Sequence, residues 1–285
     1  MGLGPISLDG LPLYGCLAGF TLPVERYELA AGVGLERTFI DTFGTQMMAF
    51  APPPEKGAPH PAPWAAVRTG FNFQGRIQVG LTDLSAFPGV RASNLLWMIA
   101  ALSRLRIKAP VRVALVSNVP FQQLREIPNA GHATPFESAL PHIGLFDGLQ
   151  AQASSEDIEW LRISLPKLIA LYENERFARA FSIFDESTWS PRPELAMILL
   201  WTSLEILCDL GASRQKTKDL SDKLSDWLAS TREEKSLAYN LVQQMYGKRG
   251  SVVHAARRIK FADYAQSQMM ARAAFTNAIN WSKLP

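Results

Sequence analysis

Arg249 and His254 have the side chains that acid–base chemistry on an anion requires. They lie five positions apart in Tyr246-Gly247-Lys248-Arg249-Gly250-Ser251-Val252-Val253-His254. An imidazole titrates near neutral pH, so His254 can give or take a proton, while a guanidinium stays cationic and can hold an oxyanion. Residues five apart on an ideal helix point about 140° apart, so a regular helix does not stack the two on one stripe. Gly247 and Gly250 each cost roughly 1 kcal/mol relative to alanine inside a helix, and they predict a break. A fresh turn capped by Ser251 would then bring His254 into the space that Arg249 reaches.

The surrounding charge is one-sided. Between positions 235 and 262 stand Lys235, Lys248, Arg249, Arg257, Arg258 and Lys260, with no aspartate or glutamate, so this stretch should attract polyanions. An arginine and a histidine at this spacing also fit a solvated helix face, so the spacing needs support from the elements around it. The 285-residue chain as a whole carries a net charge of only +3, which makes any polyanion argument a local one.

With 47% hydrophobic and 19% charged residues, the composition is that of a globular chain with ample material for buried cores. The two cysteines, Cys16 and Cys208, lie in apolar surroundings and predict reduced, buried thiols and a cytoplasmic setting. No signal peptide is read at the start. The most apolar run, Leu195 to Cys208, is short for a bilayer span and contains Glu205, so it predicts a buried helix and no membrane partner.

Two textures divide the chain. Residues 1–152, rich in glycine and proline, predict a mixed α+β domain. Its strands are placed at Thr38–Ile40, Gln46–Phe50, Ala65–Phe73, Arg76–Leu81 and Val111–Val116, with a helix over Arg91–Arg106. Ala51–Pro63, with Pro52-Pro53-Pro54, predicts an exposed loop. His132, Glu137, His142 and Asp147 recur at five-residue steps, but that is neither a helical nor a strand period, so no metal site is assigned. Gly32-Val33-Gly34 lacks the third glycine of a dinucleotide fingerprint, and no cofactor is expected.

Residues 153–285 predict an all-α bundle. Helices are expected from Ser155 with a kink at Pro166, over Glu175–Phe184, Glu194–Leu210, Lys216–Ala229 and Arg232–Tyr246, and over Phe261–Trp281 with Met269, Met270 and Phe275 in the core.

This second half resembles the HEPN superfamily, and within it the Apea-like HEPN domains of prokaryotic defence proteins. The resemblance covers roughly residues 175–281. It rests on the Phe/Ala-rich helix from Arg176 to Phe184, on Leu204-Glu205-Ile206-Leu207, on Asp219-Leu220-Ser221-Asp222-Lys223-Leu224, and on Tyr246-x-x-Arg249-x-Ser251-x-Val253-His254. The family's R-x4-6-H signature maps onto Arg249 and His254, and its acidic helix position onto Glu205.

What the resemblance implies is a metal-independent endoribonuclease. RNA supplies the 2′-hydroxyl nucleophile, His254 transfers protons, and Arg249 stabilises phosphoryl charge. Glu205 would orient Arg249, Lys223 or a neighbouring helix end, with Tyr246 and Ser251 supporting. Lys248, Arg257, Arg258 and Lys260 would track the RNA backbone. Family members pair so that two motifs face one another, which implies a homodimer through the C-terminal bundle. The N-terminal domain would serve as a sensing or regulatory region that answers a phage or other trigger. Gly250 stands where active members carry a polar residue, so the alternative is a non-catalytic HEPN module that binds nucleotide or RNA or only dimerises.

Overall fold

The computed structural model describes residues 6–42, 45–56, 58–68, 73–125, 133–137, 151–255 and 258–285. The fold class is α+β. An antiparallel sheet is built almost entirely before residue 136, and six helices follow residue 154.

The six-stranded sheet is centred on β1 (Leu13–Ala18), which pairs on one side with β7 (Phe73–Leu81) and on the other with β8 (Arg112–Ser117). Outward from β7 lie β4 (Val33–Thr42) and β3 (Arg26–Ala30), and outward from β8 lies β9 (Ala133–Pro135). The registers Leu13↔Leu81, Leu17↔Ile77 and Leu35↔Val79 put these apolar residues on one face. Helix α1 (Ala92–Ile107) packs on that face. Its approach to β1 is close, since a Cβ on Gly15 would meet Leu96 Cδ2 at 2.9 Å and the leucine would have to shift. A short parallel pair, β2 (Phe20–Thr21) with β10 (Ala151–Gln152), and a hairpin of β5 (Thr45–Ala49) with β6 (Trp64–Arg68) complete the strands. Among the described residues of 51–63 there is no helix or strand, as the prolines require.

The helices start where local chemistry starts them. In α2 (Ser155–Tyr172) Ser154 and Asp157 form a reciprocal capping box, and the helix runs on through Pro166. Asn174 caps α3 (Glu175–Ser187), and Pro193 occupies the first turn of α4 (Pro193–Leu207), which stops before Asp209 and Gly211, both at positive φ. Then come α5 (Lys216–Leu228), α6 (Arg232–Ala255) and α7 (Phe261–Trp281). Phe177, Phe181, Phe184 and Phe275 form an aromatic cluster where α3 meets α7. Of the expected core positions on α7, Met270 and Phe275 are buried, but Met269 is 58% exposed because it follows the outward side of the helix.

The 152/153 boundary falls between β10 and α2, and buried side chains from both sides belong to one hydrophobic cluster. Polar contacts cross it as well. Arg104 of α1 is 2% exposed; its Nε and one terminal nitrogen donate to Asp185 of α3 at 2.8 Å each, and the other terminal nitrogen donates to the Val111 carbonyl at 2.7 Å. Glu137 also accepts from both terminal nitrogens of Arg104, at 3.3 and 3.4 Å. Burial opposes the charge on Arg104, but Asp185 and Glu137 outweigh it, so its pKa lies above the ordinary arginine value. Cys16 and Cys208 are buried and unpaired, and burial pushes both thiols up to about 12. Among the described residues no helix is long and apolar enough to cross a membrane.

Candidate functional site

The expected break in the signature stretch is absent. Helix α6 is continuous from Arg232 to Ala255, passing through Gly247, Gly250 and Ser251. Ser251 does not cap a new helix: its hydroxyl donates back to the Gly247 carbonyl at 3.3 Å, as a mid-helix serine does. The reason lies in packing. Val242, Met245 and Val252 of α6 are buried, and this apolar stripe against α4 and α5 outweighs a glycine penalty of roughly 1 kcal/mol per residue. No atom lies within 4 Å of where a Cβ would stand on either glycine, so their stripe faces open space. Because α6 is regular, position 254 lies about 140° from Arg249 and within about 40° of Gly250. No local kink brings Arg249 and His254 onto one stripe. The His254 side chain and Arg257 lie outside the described residues, as do His132, His142 and Asp147.

Arg249 continues the buried stripe of α6, at a position where an apolar residue would ordinarily stand, and a charge there needs a partner. Glu205, in the last turns of α4, supplies it. One of its oxygens forms an ion pair with Arg249 Nη2 at 3.3 Å and accepts from the Tyr246 hydroxyl at 2.9 Å, and the other faces Lys216 Nζ at 3.6 Å. Burial, reinforced by the bond to Glu205, pushes the Tyr246 phenol up to about 12, so it remains a hydrogen-bond donor. The Tyr246 ring lies beneath the guanidinium at 5.6 Å and packs edge-on against Trp201. Arg249 is thus oriented from two sides, while its buried Nε has no hydrogen-bond partner.

Beside this cluster a groove of about 610 Å³ opens between the start of α5 and the glycine stripe of α6. Among the described residues four cations line it, Arg214, Lys216, Lys218 and Arg249, and no carboxylate does. Arg214 and Lys218 are exposed. Lys216 and Lys218 occupy the first turn of α5, where the helix dipole already supplies partial positive charge and a cation is unfavourable for the helix itself. Gln215, the N-cap, makes no side-chain capping bond. The helix dipole and the exposed Arg214 and Lys218 favour an anion here, while Glu205 already pairs with Lys216 and Arg249 and Asp219 stands in the first turn of α5.

The other expected site residues are dispersed. Lys223 does not reach Glu205; its ammonium donates to the Cys208 carbonyl and so serves the C-terminal end of α4. Lys248 pairs with Asp263 at 2.8 Å. Arg258 and Lys260 are exposed just before α7. Sequence reasoning passed over Arg214, Lys216 and Lys218, although Arg214-Gln215-Lys216-Thr217-Lys218 is a visible basic run at a helix start. Comparison of the chain with protein-family models, with curated proteins and with solved structures gives no match.

Proposed function

We propose that the chain is a metal-independent endoribonuclease of prokaryotic defence or toxin type, with an Apea-like HEPN bundle over its C-terminal half. The observation that carries this reading is the groove between α5 and α6, where four cations and a helix N-terminus converge without a carboxylate in the lining. RNA phosphates bind there, and Arg249, paired with Glu205 and 20% exposed at the groove wall, offers the exposed part of its side chain to a phosphoryl oxygen. His254 transfers the proton between the 2′-hydroxyl and the leaving oxygen. Because a regular α6 separates Arg249 from His254, the reading pairs two copies through residues 175–285, so that Arg249 of one copy and His254 of the other reach one phosphate. Leu237, Val253 and Phe261, which are 71%, 43% and 51% exposed, supply apolar surface for that seam.

The same unbroken helix favours a second reading, a non-catalytic module that binds RNA or nucleotide in the groove. Cleavage of a mixed RNA pool in EDTA separates the two. The nuclease produces fragments ending in 2′,3′-cyclic phosphate. Salt-dependent binding without cleavage, with a trigger such as phage lysate supplied, selects the binding module. Metal-dependent cleavage contradicts both.

A further inference from the structure

A second cleft, of about 690 Å³, opens where α1, α2 and α3 meet, and it shares no lining residue with the α5–α6 groove. Its character is opposite. Trp97, Tyr172 and Trp189 supply aromatic surface, and among the described residues every acidic or basic side chain in the lining is a carboxylate: Glu137, Asp185 and Glu186. Arg104 lies behind the cleft and pairs with both buried acids, and Arg112 adds positive charge on the Glu137 side, which leaves Glu186 as the acid turned to the open cleft. Glu186 is exposed, with no ion pair among the described residues.

The hydrogen bonds leave room for a donor. Asp185 accepts two bonds from Arg104 and one from the Trp97 indole at 3.0 Å. Glu137 accepts two from Arg104 and one from the Val113 amide at 2.6 Å. Among the described residues each carboxylate accepts three bonds, against the roughly four its lone pairs can take. Aromatic faces attract cations, and carboxylates bind amidinium, guanidinium or ammonium groups through charge-assisted bonds. The same three acids repel phosphates and carboxylates.

We propose that this cleft binds a small organic cation, a compound with a flat or aliphatic body that carries an amidinium, guanidinium or ammonium group and no phosphate. The site is independent of the nuclease reading, since the groove and the cleft have no residue in common.

Titration calorimetry of the full chain tests it with benzamidine, a ring bearing an amidinium, and with benzoate, the same ring bearing the opposite charge. Benzamidine should bind saturably at one site and benzoate should not. Glu186→Gln, an exposed change, should weaken benzamidine by about tenfold, the value of one charge-assisted bond, and Glu186→Lys should abolish binding. Lys218→Ala, in the other groove, should leave it unchanged. Absence of saturable benzamidine binding, equal binding of benzoate, or wild-type affinity in both Glu186 variants would overturn the proposal.

Discussion

Arg104 and Arg249 are both guanidiniums taken into the helical core, and they differ in how many of their donors the fold consumes. Arg104 is 2% exposed and spends its Nε and both terminal nitrogens on Asp185, Glu137 and the Val111 carbonyl. Arg249 is 20% exposed, meets one carboxylate at 3.3 Å, keeps an Nε without a partner, and stands at the wall of a cationic groove. The comparison teaches a physical distinction. A buried guanidinium whose donors are all engaged joins elements, here sheet to bundle, whereas one with a single ion pair and part of its side chain exposed at a groove wall can meet a ligand.

The largest expected effect breaks the Arg104 side of this contrast. Arg104→Met leaves Asp185 and Glu137 buried without their cation and should cost about 3–5 kcal/mol of stability. Arg249→Met should cost no more than about 1 kcal/mol, because Glu205 retains Tyr246 and Lys216. Urea unfolding measures both, and equal losses would erase the distinction.

A smaller effect concerns pH. Burial, only partly relieved by Arg104, holds the Glu137 carboxyl above the usual carboxylate range. The folded state therefore disfavours ionised Glu137. That penalty is absent below the unfolded pKa and is fully present above the folded one. Glu137→Gln removes the titration, so the stability of wild type relative to this variant should fall as pH rises above the ordinary glutamate value of about 4. A difference that grows with pH would mean that Arg104 dominates. The smallest effect sharpens the Arg249 side. Lys218→Ala should reduce the slope of log RNA affinity against log salt by about 0.7, the contribution of one phosphate contact on a single strand, and an unchanged slope would remove Lys218 from the path.

Much of the bundle was legible because its helices carry apolar residues at helical spacing, as with those expected from Ser155 and over Glu175–Phe184, while the caps Ser154 and Asn174 are seen in the structure. Glu205 stood out as the one acid in the apolar run from Leu195 to Cys208, and it does hold Arg249. The central strand was not legible. β1 is covered on both faces, so Leu13-Tyr14-Gly15-Cys16-Leu17-Ala18 shows no alternation between apolar and polar residues. The break at Gly247 and Gly250 was misjudged because a local propensity of roughly 1 kcal/mol was weighed without the tertiary packing of Val242, Met245 and Val252. The groove cations went unnoticed for a related reason. Lys216 and Lys218 belong to an amphipathic helix whose buried residues explain its existence, while the groove they form with α6 depends on which side chains meet across the two helices, which spacing along one helix does not encode.

The central claim is that Arg249 and His254 act on RNA phosphate rather than hold the fold, and single-turnover cleavage rates in EDTA test it most directly. His254→Ala should lose about 10²–10⁴ in rate, the range for a general acid or base. Arg249→Lys should be nearly as slow, because lysine keeps the charge and loses the planar fork. Both variants should unfold within about 1 kcal/mol of wild type. Wild-type cleavage by His254→Ala would contradict the account.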